Sequence, residues 1–231
     1  MTHRKLWLLL SLIFMAAALA GCGAKEKKKE AERLLEEKYG EAFTVTSYKG
    51  YNLGDTYYTV TAYSDDWPTL PFEAHPSLDG SGVTDGYAGR RVCRKVSDLV
   101  SGNLAGVMPC SVYVHTVAEP ADSICPDPDV SVEEFAGTWM PDSCFHIYVH
   151  IDNRDWEDVD ISGYLQYAMA GLSTIEGSLT VCFSDADTMA LAREYVETHT
   201  ELDESFFHML DRRKVRRSRH GTSGGRVLNL Y

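Results

Sequence analysis

From Glu30 onward, apolar residues recur at helical spacing: Ala31, Leu34, Leu35 and Tyr39 share one stripe, and Gly40 stands where such a helix would end. The period then changes from 3.6 to 2. Phe43-Val45-Ser47 and Tyr58-Val60-Ala62 read as half-buried strands with Thr44, Thr46, Thr59 and Thr61 on their other faces, joined by a hairpin across Gly50 to Asp55. Leu70-Phe72-Ala74 is a third strand, and Ser77 to Gly86 reads as loop. A helix is predicted over Tyr87 to Ser101, presenting Val92, Val96, Leu99 and Val100, with Gly102 as its stop.

The pattern repeats with variation beyond that point. A strand over Ser111 to Val117 leads into a Pro- and Asp-rich loop (Glu119 to Asp129), then a short helix opened by the capping box Ser131-Val132-Glu133-Glu134. Cys144 to Ile151 alternates most clearly, with Phe145, Ile147, Val149 and Ile151 on one face. A helix from Asp160 to Leu172, a strand over Ser178 to Phe183 and a helix from Ser184 follow. That last helix presents Met189, Ala192, Tyr195, Val196 and His199, and Leu202, Phe206 and Leu210 continue as a further helical segment. Such an order predicts an α+β fold, a mainly antiparallel sheet with helices packed on it. A subdivision near 102–109 and one continuous body over 30–210 both fit the pattern.

The N-terminus changes the picture most. Arg4 and Lys5 precede an unbroken apolar run from Leu6 to Ala20. At about 15 residues this run falls short of the roughly 20 that span a bilayer core, and its small-residue end marks a cleavable export signal over residues 1–21. The run closes on Leu19-Ala20-Gly21-Cys22, which resembles the lipobox of bacterial lipoproteins at all four positions. The resemblance implies that Cys22 receives a diacylglyceryl group, becomes the new N-terminus, and holds the chain on the outer face of the cell membrane. Two acyl chains suffice for stable anchoring where one is marginal. Residues 22–29 would form a short lipidated tether. The stretch Leu34 to Phe43 resembles the opening of small lipoproteins of unassigned role from Gram-positive bacteria, and the helix-then-meander order resembles PepSY-type extracytoplasmic domains, which implies an inhibitory or regulatory role.

Charge excludes some partners. The chain carries −12 formally, and loss of Arg4 and Lys5 with the signal takes it to −14, which disfavours nucleic acid. The distribution is uneven, because residues 211–231 hold a net +6 and read as a solvated basic tail able to touch anionic lipid.

Candidate chemistry is sparse. His146, Tyr148 and His150 share the face opposite the apolar one, and His115 joins them if its strand pairs alongside; imidazoles there are candidate metal ligands or acid–base groups. His146 and His150 cannot share one ion, being about 13 Å apart along a strand, and a half-solvated polar face is the plainer expectation. Asp152, Asp155, Glu157, Asp158 and Asp160 surround Arg154 and have the composition of a Ca2+ loop, but Arg154 and Glu157 break the EF-hand template, and an acidic lead-in to a helix explains the run equally. Five cysteines remain for the exported body: Cys93, Cys110, Cys125, Cys144 and Cys182. Export permits disulfides among them, though an odd count without a CxxC pair also suits buried thiols. Gly171-Leu172-Ser173-Thr174-Ile175 fails the G-x-S-x-G nucleophile elbow at its last position, and no S-x-x-K or dinucleotide fingerprint occurs. These readings favour a lipid-anchored, non-catalytic binding or regulatory protein facing an envelope protein or cell-wall partner, inhibitor- or immunity-like. The alternative is an envelope enzyme or metal-dependent protein using His115, His146 or the Asp152 to Asp160 loop.

Overall fold

The computed structural model describes residues 23–108, 110–119, 123–152 and 161–228. Cys22 and the export signal lie outside the described residues, as do Asp155, Glu157, Asp158 and Asp160. The architecture is α+β, with two sheets of four and five strands.

The first sheet follows the meander. Strands β1 (Phe43–Gly50), β2 (Thr59–Ser64) and β3 (Phe72–Pro76) pair antiparallel in sequence order. Register sets Val45 opposite Ala62 and Ala62 opposite Phe72, so the alternating apolar positions fall on one face. Helix α1 (residues 23–39) covers that face with Ala31 and Leu35. Residues 23–29, expected as a tether, are already helical. Their charge does not keep them in solvent: Lys27 pairs with Glu30 at 2.5 Å, its carbonyl accepts the Tyr58 hydroxyl, and Lys28 donates to Thr46 O. A short strand β4 (Val83–Asp85) also forms within the expected loop, where Ser77 and Gly82 close a turn back onto β3.

Helix α2 (Tyr87–Ala105) joins the two halves. Tyr87 belongs to the first core, whereas Val92, Val96, Val100 and Leu104 belong to the second. The change of core therefore comes at the start of α2, and the helix runs unbroken through Gly102. Burial of Leu104 and two hydrogen bonds from Asn103 Nδ2 to the carbonyls of Ala168 and Ala170 carry it past that glycine.

The second sheet has the order β5 (Val112–Glu119), β6 (Cys144–Asp152), β7 (Gly177–Ser184), β8 (Arg216–Ser223) and β9 (Arg226–Leu228). A short helical turn, α3 (Val132–Glu134), precedes β6 and opens as expected on Ser131, whose hydroxyl accepts the Glu134 amide. Only β6 and β7 run parallel, with α4 (Ser162–Ala168) in the connection between them. Phe145, Ile147, Val149 and Ile151 meet α2 and α4 in the main core. The opposite face is roofed by α5 (Ala186–Thr198) and α6 (Glu204–Arg212), with Ala192, Phe206 and Leu210 buried against it. The basic segment expected as a solvated tail supplies β8 and β9 instead. Backbone pairing to β7 and the Arg216 guanidinium 4.3 Å over the Phe183 ring hold it there, although its side chains show little apolar alternation.

Candidate functional site

The expected half-solvated histidine face is buried at His150 and His115, while Tyr148 and His146 stay partly exposed. β5 pairs antiparallel with β6 so that His115 stands opposite Tyr148, and Tyr113 opposite His150. Phe206 closes over them: His115 stacks on Tyr148 (4.8 Å between centroids), lies 5.2 Å from His150 and meets the Phe206 ring edge-on at 5.5 Å. His115 and His150 are buried, and neither ring nitrogen of either one has a hydrogen-bond partner among the described residues. Burial holds both rings neutral, with His150 lowered to about 4 and His115 driven well below its usual range. The sequence pattern showed that these residues share a face, but not that two more helices would cover it.

His146 lies nearer the end of that face, with Nδ1 2.9 Å from Ser178 Oγ and Nε2 3.7 Å from Glu119. Asp152 ends β6, away from the rest of its expected loop, which falls outside the described residues. Among the described residues, no three His, Cys, Asp or Glu side chains converge as metal ligands. None of the five cysteines is disulfide-bonded. Cys93, Cys125 and Cys182 are buried as small apolar groups, and Cys110 and Cys144 are partly exposed.

The concave site lies beside the histidines, on residues that sequence reasoning passed over. β5 is an edge strand. A cavity of about 320 Å³ runs along Val112 to Thr116, walled by α2 and α5 and closed by Thr69 and Leu70 from the first half. A second cavity of about 360 Å³ continues along Val117 to Glu119, and Arg90 and Cys93 line both. Ligand sites favour such junctions between substructures.

Arg90 is the unusual member. It is only 8% exposed. Its Nη2 donates to Val196 O (3.2 Å) and His199 O (3.4 Å) at the C-terminal end of α5, where carbonyls concentrate negative partial charge. Among the described residues its Nε has no partner and no carboxylate pairs with it. Buried charges are ordinarily paired, because uncompensated desolvation costs several kcal/mol. The helix carbonyls compensate in part, and the residue lines both cavities.

The surroundings reinforce that polarity. Arg193 lies 4.9 Å over the Tyr113 ring, and Arg94 holds Asp98 through two contacts of 2.9 and 3.1 Å at the mouth. Ser97 Oγ sits 2.9 Å from Cys93 O and 3.0 Å from Thr116 Oγ1, which ties α2 to β5. Cys93 is no nucleophile, since burial pushes its thiol up to about 12 despite Arg90.

A signal for Arg90 did exist. Arg90, Cys93, Ser97, Val100 and Leu104 recur at helical spacing and all are buried, so the stripe that carries the core also carries the arginine. A further buried pair, Asp85 with Lys38 at 2.7 Å, ties α1 to β4. Burial raises the Asp85 carboxyl, and the ammonium and the Tyr39 hydroxyl oppose that rise.

No family model matches the chain, and no curated protein resembles it in sequence. Its fold is similar to that of a solved DUF5037 family protein from Ruminococcus gnavus, with a TM-score of 0.58, 19% identity, and coverage of 88% of this chain and 94% of the other. At that identity the likeness shows the fold alone. Among the described residues, no helix is long and apolar enough to cross a membrane.

Proposed function

We propose that this chain is a lipid-anchored extracytoplasmic binding protein that takes an anionic ligand, carboxylate- or phosphate-bearing, in the cleft between α2, β5 and α5. One observation carries the ligand reading: a buried guanidinium, Arg90, that faces a cavity without an anion to pair with. A charged hydrogen bond in such a setting contributes about 1.5–3 kcal/mol, or roughly one to two orders of magnitude in affinity.

The anchoring part rests on the lipobox at Leu19 to Cys22. Because the chain is helical from residue 23 and touches the first sheet from Lys27, a lipid on Cys22 would set the body close to the head groups. Lys25, Lys27, Lys28 and Lys29 would then stand beside anionic lipid. Such a protein presents its cleft to peptides, wall fragments or partner proteins of the envelope.

Isothermal titration with acetate, succinate, glutamate and phosphate tests the ligand reading, with neutral propionamide as control. Saturable binding by at least one anion, weakened about tenfold or more in Arg90→Met, is the expected outcome. Equal binding by wild type and variant, or none by any anion, would overturn it. Labelled palmitate tests the anchor: it should enter the wild type and be absent from Cys22→Ser.

A further inference from the structure

The open edge of β5 narrows the class of ligand, and this step rests on the anion-binding reading of the cleft. In an antiparallel pair, alternate residues direct both backbone groups at the neighbouring strand while those between direct theirs away. Asp152 N–H donates to Ser111 O, so the odd-numbered positions of β5 face β6. Val112, Val114, Thr116 and Ala118 then face the open edge. The Ala118 amide is taken up by Cys93. For Val112, Val114 and Thr116, no partner occurs among the described residues. All eight residues of β5 line one or other of the two cavities. The groove thus follows a strand edge for its whole length.

Unpaired edges recruit extended chains, which supply the missing ladder, although here Val114 and Thr116 lie buried between α2 and α5 and are reached only through the cavity. The first cavity spans Val112 to Thr116, about 13 Å at strand rise. That suits a few extended residues and far exceeds what a lone phosphate or acetate fills. It ends at Arg90, where the guanidinium bridges from α2 to the end of α5 and divides the groove in two. A chain lying along the first cavity must stop there.

We infer that the ligand is the C-terminus of an extended peptide. Its main chain adds to β5 at Val112, Val114 and Thr116, and its terminal carboxylate meets Arg90. A free carboxylate answers the unpaired guanidinium, and an extended backbone answers the unpaired amides. A small anion alone meets only the first of these requirements.

The experiment uses the full chain in detergent micelles and fluorescein-labelled hexapeptide pools, each fixed at one C-terminal residue, read by fluorescence polarisation. At least one pool should bind, and its C-terminal amide should bind about tenfold more weakly or worse. N-methylation at alternate backbone positions should abolish binding, whereas N-methylation at the intervening positions should spare it. These comparisons alter the ligand and so do not depend on any variant folding. Equal binding by acid and amide, or indifference to the position of N-methylation, overturns the inference. If no pool binds while acetate or phosphate still binds in an Arg90-dependent way, the peptide inference fails and the anion reading survives. If nothing binds, both fail.

Discussion

Replacing His150 with phenylalanine should flatten the protein's response to mild acid. His150 sits fully buried between Tyr113 and His115, without a hydrogen-bond partner among the described residues, and burial lowers it to about 4. Unfolded, the same imidazole titrates at about 6.5. Between these values the unfolded chain binds a proton that the folded chain refuses, so stability is fully present above about 6.5 and is lost as pH falls toward about 4. At about 1.36 kcal/mol per unit, the full loss is roughly 3.4 kcal/mol, and at pH 5 it is about 2 kcal/mol. His115, driven down by burial, His150 and Arg90, acts in the same direction. Urea denaturation at about pH 7.5, 6.0 and 5.0 reads the effect. His150→Phe keeps a ring of similar size among the aromatic neighbours but takes up no proton. The fall in unfolding free energy from about pH 7.5 to 5.0 should therefore be about 2 kcal/mol smaller in the variant. Equal falls in both proteins would refute the burial argument, because they would mean that His150 is protonated alike in the folded and unfolded states.

Gly177 has φ +155, and a Cβ there would lie 1.8 Å from the Phe145 carbonyl oxygen. Gly177→Ala should cost more than about 4 kcal/mol or prevent soluble expression, while Gly137→Ala, whose Cβ meets nothing within 4 Å, should be near neutral. Phe206→Ala should cost about 3–5 kcal/mol by chemical denaturation, since Phe206 is fully buried over His115 and Tyr148. Truncation after Arg212 removes β8 and β9 and leaves β7 as an unpaired edge. The truncated chain should aggregate on size-exclusion chromatography, and a monomer of native circular dichroism would show that the basic hairpin is dispensable.

The elements legible from sequence were those whose side chains declare their own period. The alternation of Phe43 and Val45 in β1, and of Phe145, Ile147, Val149 and Ile151 in β6, marked both strands, and the Ser131 cap marked α3. Partnership between elements was not legible. The histidine face of β6 looks amphipathic in isolation, and only the docking of α5 and α6 makes it interior. Arg216 to Ser223 has little strand-like alternation, because its place depends on backbone pairing with β7 and on a guanidinium laid over an aromatic ring. Arg90 falls on the helical stripe that carries the core of α2, but the sequence does not show that α5 brings its C-terminal carbonyls across the cleft to it. The site escaped detection for that reason: its residues come from α2, β5 and α5, and no short motif joins them.

Bromide-soaked crystals measured at the bromine absorption edge test the central claim most directly, since the halide reports where the protein accepts a small anion. Anomalous density beside the Arg90 guanidinium, inside the cleft along β5, is the predicted result. Peaks confined to the exposed arginines of α6 and β8, with none at Arg90, would contradict it.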